Sequence, residues 1–426
     1  MSIQVNHGIS PLRGGLKREK RPYKWALALI AYDRKDYFEK VLDSINSQSI
    51  CGIPIFDKYD FYIFQDGLSE PNNPNKYEPT AITELATKNP YVKEFFLQDQ
   101  NVGITKHFAF AEDYLFNQLE YDFVVFCEDD MVLGDAYMAS LHAMAEKFID
   151  DERIAMVSAH SMSYTKPMDQ QLAALDKYLP MGHSWGYGLY RRAWNSIEPI
   201  LKIYIGLLEK VPKGERNDIA IQFWLQACGF KPDATSHDFI KSCAIVALGY
   251  LRISSYPNYG LYIGERGVHF NPESFQKHRY VDTIICDKPI VDAAPIDENQ
   301  YHQLWKSMAN QCLSRPNEFS VEDFRSLVSK GLPKPDLPAN LLTSMATAED
   351  IIALYKLFFN RYPENQLQID TRLGMPMHQL LIHCLDSEEF FNRHQYWPAI
   401  VRLAKKIMEK YESEIKKSES SVKTEA

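Results

Sequence analysis

The sequence predicts an α/β protein built on a mostly parallel central sheet flanked by helices and followed by a helical carboxy-terminal region. Three observations predict it. Strand and helix signals alternate from residue 24 to about residue 160, as repeated strand–helix–strand units require. The apolar run Phe123-Val-Val-Phe-Cys127 leads straight into Glu128-Asp129-Asp130, which suits a strand buried on both faces. From about residue 295 onward, leucines, methionines and aromatics fall at helical spacing.

The elements read in order as follows. Trp25 to Ala31 is a buried strand. Asp33 is a plausible N-cap, and Tyr37, Phe38, Val41, Leu42 and Ile45 give a helical stripe. Phe61 to Phe64 is the second strand, ended by Gln65-Asp66-Gly67. The turn-rich stretch Pro71 to Pro74 precedes a helix over 78–88. Val92 to Leu97 is the third strand, broken by Asn101-Val102-Gly103, and a helix runs over 104–118. The acid-bearing strand is next, then a helix over 135–148 and a fifth strand from Ile154 to Ala159.

Beyond residue 160 the pattern loosens. Ser161 to Met181 is irregular, with two prolines, and long loops inside compact domains are usually functional. In His183-Ser-Trp-Gly-Tyr-Gly-Leu-Tyr190 small and aromatic residues alternate. Asn217 to Cys228 reads as a helix. From Gly249 to His278 glycine, tyrosine and histidine recur, with Gly260, Gly264 and Gly267 as hinges. Lys330 to Asn340 reads as a linker, and Ala348 to Lys410 as a small helical module.

Composition bounds the function. The chain has 426 residues, 45% hydrophobic and 13% aromatic, enough for a sizeable core and about two or three domains. A net charge of −9 argues against a nucleic-acid-binding surface. Seven scattered cysteines without a CxxC pair suit reduced thiols in a cytosolic protein and give no metal-site spacing. No secretory signal or membrane span is read from the sequence. The basic cluster Arg13, Lys17, Arg18, Lys20, Arg21 and Lys24 is suited to peripheral contact with anionic lipid at the inner face of a membrane, or to a solvated tail. The polar stretch from Ser413 to Ala426 reads as disordered.

The acid triplet is the chemical signal. Ligands of open α/β sheets bind just past the carboxyl ends of the strands, and three packed like charges repel unless a cation or hydrogen-bond donors compensate. All-oxygen ligation suits Mg2+ or Mn2+, ions commonly shared with substrate phosphates. Neither GxGxxG nor GxxxxGK[ST] is present, so phosphates would be held by a metal and side chains.

Taken in order, Leu27 to Arg34, Phe64-Gln-Asp-Gly67, Val125 to Asp130, Met156-Val-Ser-Ala159 and Trp185-Gly-Tyr-Gly188 resemble the GT-A glycosyltransferases. The resemblance covers about residues 24–275. It is nearest to the N-acetylglucosaminyltransferase I family and its O-mannose-linked relatives. It implies an inverting transfer of a sugar, N-acetylglucosamine in that family, from a UDP-sugar to a hydroxyl of a glycan or other acceptor, with Mn2+ (or Mg2+) bound.

The resemblance makes Asp130 the metal ligand, with Asp129 on the ribose and Glu128 facing the donor sugar. Asp66 matches the acid on the uracil edge, and Arg34 an arginine near the diphosphate, with Ala31 and Asp33 beside it at the donor. His107 falls on a donor-binding histidine, but shares a helical stripe with Ile104, Phe108, Ala111 and Leu115, so a core role stays open. Trp185 lines the sugar site or belongs to the core. Asp218, in Arg216-Asn217-Asp218-Ile219, matches the base that deprotonates the acceptor, against the reading of an ordinary acid at a helix start. Asp233, His237 and Asp238 are the fallback bases. Gly264 to Phe275 resembles the lid over the donor, with His269 at the diphosphate.

The animal members carry a membrane anchor and paired cysteines, and their absence here leads to the expectation of a bacterial or viral cytosolic relative, engaged in polysaccharide biosynthesis. Ile351 to Pro363 and Asp386 to Phe390 resemble a small helical repeat appended to bacterial sugar-modifying proteins, expected to bind a protein partner. The expected domains are a basic tail at 1–23, the GT-A domain at 24–290, a helical extension and linker at 291–340, the helical module at 341–412 and a disordered tail at 413–426. Two other classes compete. A sugar-nucleotide nucleotidyltransferase normally carries glycine after the first strand, where this chain has Tyr32-Asp33-Arg34. A non-catalytic glycan-binding scaffold needs no intact acid triplet.

Overall fold

The computed structural model describes residues 23–67, 79–209, 218–266, 272–332, 345–359 and 361–375, with 380, 383 and 384. The basic tail before Tyr23, the Pro71 to Pro74 turns, most of the Lys330 to Asn340 linker, His269, the stretch Asp386 to Phe390, most of the remaining helical module and the polar end lie outside the described residues.

The elements run β1 (Trp25–Ala31), α1 (Lys35–Asn46), a hairpin of β2 (Ser49–Ile50) and β3 (Ile53–Pro54), β4 (Asp60–Gln65), α2 (Pro79–Lys88), β5 (Val92–Leu97), α3 (Ile104–Glu112), β6 (Phe123–Glu128) and β7 (Met131–Leu133). Next come α4 (Tyr137–Lys147), β8 (Ile154–Ser158), α5 (Met168–Leu172), β9 (Tyr178–Pro180), β10 (Gly186–Tyr190), α6 (Arg191–Glu209), α7 (Asp218–Ala227), α8 (His237–Ala247), β11 (Leu251–Ser255) and β12 (Gly260–Tyr262). The described part closes with α9 (Pro272–Lys277), α10 (Glu298–Cys312), α11 (Val321–Lys330), α12 (Ala348–Phe359) and α13 (Gln366–Asp370).

One sheet of eight strands dominates, in the order β5-β4-β1-β6-β10-β8-β11-β9. Parallel pairing joins β5, β4, β1 and β6, and again β8 and β11. β10 runs against both β6 and β8, and β9 against β11. The strand carrying the acids therefore lies at the centre. Its residues Phe123 to Cys127 are all buried. Successive strand side chains point to opposite faces, so both faces are covered.

β10 is the departure from the alternating pattern. It follows β8 in the chain but lies between β6 and β8. Gly188 pairs with Val125 and Val157, and a Cβ at this position would be driven into the ring of Phe123. The space the glycine leaves is taken by that aromatic ring.

After β6 the chain turns at Asp129-Asp130 and forms a two-stranded ribbon, with β7 paired to β12. The ribbon carries the turn forward from the sheet, and Ile263 N–H donates to the Asp130 carbonyl at 2.8 Å. α10 and α11 are part of the same body: Met308, Ala309, Cys312 and Phe324 join the core cluster of the sheet domain. Trp305 Nε1 donates to the Val246 carbonyl at 3.0 Å, tying α10 to α8.

Candidate functional site

The site starts where β6 ends. Asp129 and Asp130 are 3% and 4% exposed, too buried for a solvated turn. Arg34, which occupies the N-cap of α1, spans them. Its Nη2 pairs with Asp129 Oδ1, and its Nη1 lies 2.9 Å from Asp130 Oδ2. Tyr32 N–H adds a hydrogen bond of 3.2 Å to Asp129 Oδ2. The loop after β1 is thus folded onto the loop after β6, as the parallel pairing of the two strands demands. Burial opposes the charge on Arg34, but the two aspartates outweigh it and hold the guanidinium above its ordinary pKa.

The acids remain under-compensated. Burial, against the pull of Arg34, pushes Asp130 up to about 6. Its Oδ1 is buried without any hydrogen-bond partner. Glu128 is half-buried; burial first, and then Asp130, Asp238 and Asp129, push its carboxyl well above the usual range. Such a cluster is relieved either by protonation or by more positive charge than one arginine supplies.

Segment 263–266 closes one side. Arg266 pairs with Asp36, its N–H donates to Tyr37 Oη at 3.1 Å, and its carbonyl accepts from Arg34 at 3.3 Å. A Cβ on Gly264 would lie 2.6 Å from Asp130 Oδ2, so glycine there permits the close approach of backbone to carboxylate. Tyr262 and Gly264 are site residues that the sequence reading assigned no contact. Their signal was the Gly-Leu-Tyr-Ile-Gly run.

Asp66, which the resemblance places at the uracil edge, accepts four hydrogen bonds within the chain. Its Oδ1 accepts from Gly67 and Val102 N–H at 2.8 and 2.9 Å. Its Oδ2 accepts from Gly103 N–H and Asn101 Nδ2 at 3.0 and 3.2 Å. A carboxylate offers about four lone-pair sites; three are taken by the 101–103 loop and one by Gly67 N–H. In this arrangement Asp66 holds that loop, and a base edge would have to displace one donor. Ala31 supports the same corner through its carbonyl, which accepts Asp66 N–H at 2.9 Å, and Asp33 lies in the adjoining bend.

His107 is 1% exposed, with Nε2 3.1 Å from the Phe64 carbonyl. Burial lowers its pKa, so the ring is neutral, donates from Nε2 and keeps a buried Nδ1 without a partner. It ties α3 to β4 immediately before Asp66.

Beyond Glu128 stands an aromatic wall. Glu128 N–H donates to the Trp185 carbonyl at 2.8 Å. The Trp185 ring stacks on Tyr262 at 3.7 Å and on His183 at 4.8 Å between centroids. It packs against the small cluster of Tyr164, Tyr262, Phe275 and Tyr280. Trp185 and His183 also line a cavity of ≈ 360 Å³, together with Ser236, Asp238, Ser242 and Arg252. Asp238 sits in the first turn of α8, exposed, and its charge reaches Glu128.

Asp218 opens α7, with its side chain outside the described residues. Asp233 is exposed and is not among the cavity's lining residues, and His237 is buried with its ring stacked on Phe108. Of the fallback bases, the fold therefore brings Asp238 to the cavity beside the acids.

The described residues contain no group of three or more His, Cys, Asp or Glu arranged to hold a metal by themselves. The orphaned, buried Oδ1 of Asp130 fits an ion held by one or two carboxylates with the remaining positions left to phosphate and water, the habit of Mg2+ and Mn2+.

A sheet with one reversed strand beside its acid-bearing central strand, followed by a short ribbon, frames this corner. No family model matches the chain. A curated relative, the alpha-1,3-mannosyl-glycoprotein 2-beta-N-acetylglucosaminyltransferase of Arabidopsis thaliana, is 23% identical over 184 residues, 41% of this chain and 39% of its own length. The chain has a large, mostly parallel eight-stranded sheet with flanking helices. It spans about two-fifths of the length of that relative.

Solved glycosyltransferases resemble the chain more loosely. The mannosyltransferase PcManGT from Pyrobaculum calidifontis, in complex with GDP-Man and Mn2+, has a TM-score of 0.35 at 13% identity, over 72% of this chain and 70% of that one. GlyE of Streptococcus pneumoniae TIGR4 has a TM-score of 0.25 at 12% identity, over 46% and 41% of the two chains. The bifunctional glycosyltransferase WbbM has 0.25 at 11%, over 45% and 35%. Among the described residues no helix is long and apolar enough to cross a membrane.

Proposed function

We propose that the chain is a metal-dependent inverting glycosyltransferase, moving a sugar from a nucleoside diphosphate sugar to a hydroxyl of a glycan or other acceptor. The observation that carries it is the corner at 129–130, where two buried aspartates share one arginine and Asp130 Oδ1 has no partner. Asp130, with Asp129 beside it, would hold the divalent ion. Bound there, the ion supplies positive charge to the departing diphosphate. Arg34 stands where its fork can turn from the aspartates to phosphate oxygens.

Glu128 and Trp185 border the sugar, and the base lies on the opposite side. Asp238 is the candidate favoured for that role, supported by its exposure, its place in the lining of the adjoining cavity and its electrostatic effect at Glu128. As the acceptor oxygen bonds to the anomeric carbon, the bond from that carbon to the diphosphate oxygen breaks. The hydroxyl proton passes to the carboxylate and the nucleoside diphosphate leaves with the electron pair. Asp218 remains the rival base, at the start of α7.

The donor is proposed to be a UDP-sugar, with N-acetylglucosamine suggested by the curated relative's name; the GDP-Man of PcManGT makes GDP the necessary comparison. The test measures melting temperature with UDP or GDP, each with and without Mn2+. UDP with Mn2+ is expected to raise it, as ligands of the folded state do, and Asp130→Ala to erase the rise. No shift with either nucleotide at millimolar concentration would overturn the reading. Asp238→Asn is expected to keep the shift and lose transfer. If Asp218→Asn alone loses transfer, the base is Asp218.

A further inference from the structure

Arg252, in the middle of β11, is 8% exposed, and its Nε is buried without a hydrogen-bond partner. Among the described residues its guanidinium donates no hydrogen bond and forms no ion pair. Burial lowers its pKa, with Cys312, Asp238, Tyr187 and Cys243 acting in the opposite direction. The charge is thus largely withdrawn from water, and Nε–H has no group among the described residues to receive it. A buried charge is costly unless something pairs with it. Folds keep such a group where something else completes it.

Arg252 lines the ≈ 360 Å³ cavity, as Trp185 and Asp238 do. Ser184, Ser236, Ser242 and Gln311 add hydroxyl and amide groups to the lining. His183, also on the wall, has both ring nitrogens buried without a partner. None of Arg34, Asp129 or Asp130 lines this space, so it is separate from the corner assigned to the diphosphate.

We propose that this cavity is an acceptor subsite for an anionic sugar, whose carboxylate or phosphate ester is received by Arg252 while a hydroxyl of the same molecule faces Asp238. The volume suits one sugar residue and not an extended glycan. A planar guanidinium takes either oxyanion in two parallel hydrogen bonds. The surrounding hydroxyl and amide groups match a polyhydroxylated ring. The inference rests on the glycosyltransferase reading for the direction of transfer, but the binding it requires is independent of any donor.

The experiment is calorimetric titration of the full chain with D-glucuronate, glucose 6-phosphate, glucose and inorganic phosphate. At least one anionic sugar is expected to bind, and glucose to bind at least about tenfold more weakly, the scale of a charge-assisted pair. Which of the two anionic sugars binds tighter tells a uronate acceptor from a phosphorylated one. Arg252→Met is expected to weaken that binding by about tenfold or more. The same variant should melt no lower than the parent without ligand, since it removes an uncompensated buried charge. Should Arg252→Met fail to fold, Ser242→Leu fills the cavity, leaves the arginine in place and must also abolish binding.

Equal affinity for glucose, equal affinity for inorganic phosphate, or unchanged binding in both variants would overturn the proposal. So would a folded Arg252→Met of clearly reduced stability, which assigns Arg252 to structure. A missing nucleotide shift in the parent would strike the glycosyltransferase reading alone, whereas a nucleotide shift without sugar binding would strike this one alone.

Discussion

Lys241 and Glu112 form a salt bridge with both side chains out of solvent, 2% and 0% exposed. The pair clamps α8, which carries Asp238, against α3, which carries His107. Lys241 also donates to Tyr187 Oη at 3.1 Å, and His237 Nε2 lies 3.9 Å from Glu112 Oε2. Burial already raises the Glu112 pKa, against the pull of Lys241. Replacing Lys241 by methionine keeps the volume and removes that pull.

Glu112 must then fold as the neutral acid. At pH 7, protonating a group whose reference value is 4.5 costs 2.5 units, or about 3.4 kcal/mol at 1.36 per unit. At pH 5 the gap is 0.5 units, about 0.7 kcal/mol. A carboxyl whose folded pKa stands above its unfolded value stabilises the fold below the unfolded pKa and loses that contribution as pH rises. Lys241→Met is therefore expected to be nearly as stable at pH 5 as Glu112→Gln/Lys241→Met, and about 3 kcal/mol less stable at pH 7, near the usual cost of orphaning a buried charge. Urea unfolding followed by tryptophan fluorescence at both pH values reads this directly. Equal gaps at the two pH values, or a double variant no more stable than the single one at pH 7, would refute the reasoning.

Two further outcomes follow from the same geometry. Asp66→Asn is expected to destabilise the fold by about 1–3 kcal/mol, the cost of leaving loop donors unmet, measured by urea midpoint; a variant of normal stability that lost only nucleotide affinity would return Asp66 to the base edge. His160, fully buried, is lowered to about 4 from 6.5 by burial. Stability should therefore fall by up to about 3 kcal/mol as pH drops from 6.5 to 4, because the unfolded chain takes up the proton first. The comparison is His160→Gln, in which an undiminished pH loss would show that another group is responsible.

The parallel half of the sheet was legible because its strands are uninterrupted apolar runs. Trp25–Ala31 and Val92–Leu97 are strands at the boundaries read from sequence, and β6 ends in the acids as expected. β10 was not read as a strand, because two of its five residues are glycines that carry no apolar signal. Nor was α6, a helix of 19 residues with Pro199 inside it, a residue that marks a break when seen in sequence alone.

The acid corner was visible since its members are adjacent in the chain. The clamp on Asp66 was not, for its donors come from 35 to 37 residues further on. Arg252 was invisible for a different reason. In Leu251-Arg-Ile-Ser-Ser255 an arginine reads as the solvent side of a strand, and only the packing of α8 and α10 against that face buries it.

The late insertion of β10 has a consequence for how the molecule comes into being. During synthesis the segments that become β1 to β6 emerge as one block, and β8 emerges without a neighbour. Until Gly186 to Tyr190 leave the ribosome, the two blocks have no shared hydrogen bonds and each shows a bare edge. Trp185 arrives in the same few residues, bonded through its carbonyl to Glu128. The seam that joins the halves and the first residue of the wall beside the acids therefore arrive together, so a nascent chain stalled before this point has two unjoined blocks and bare acids.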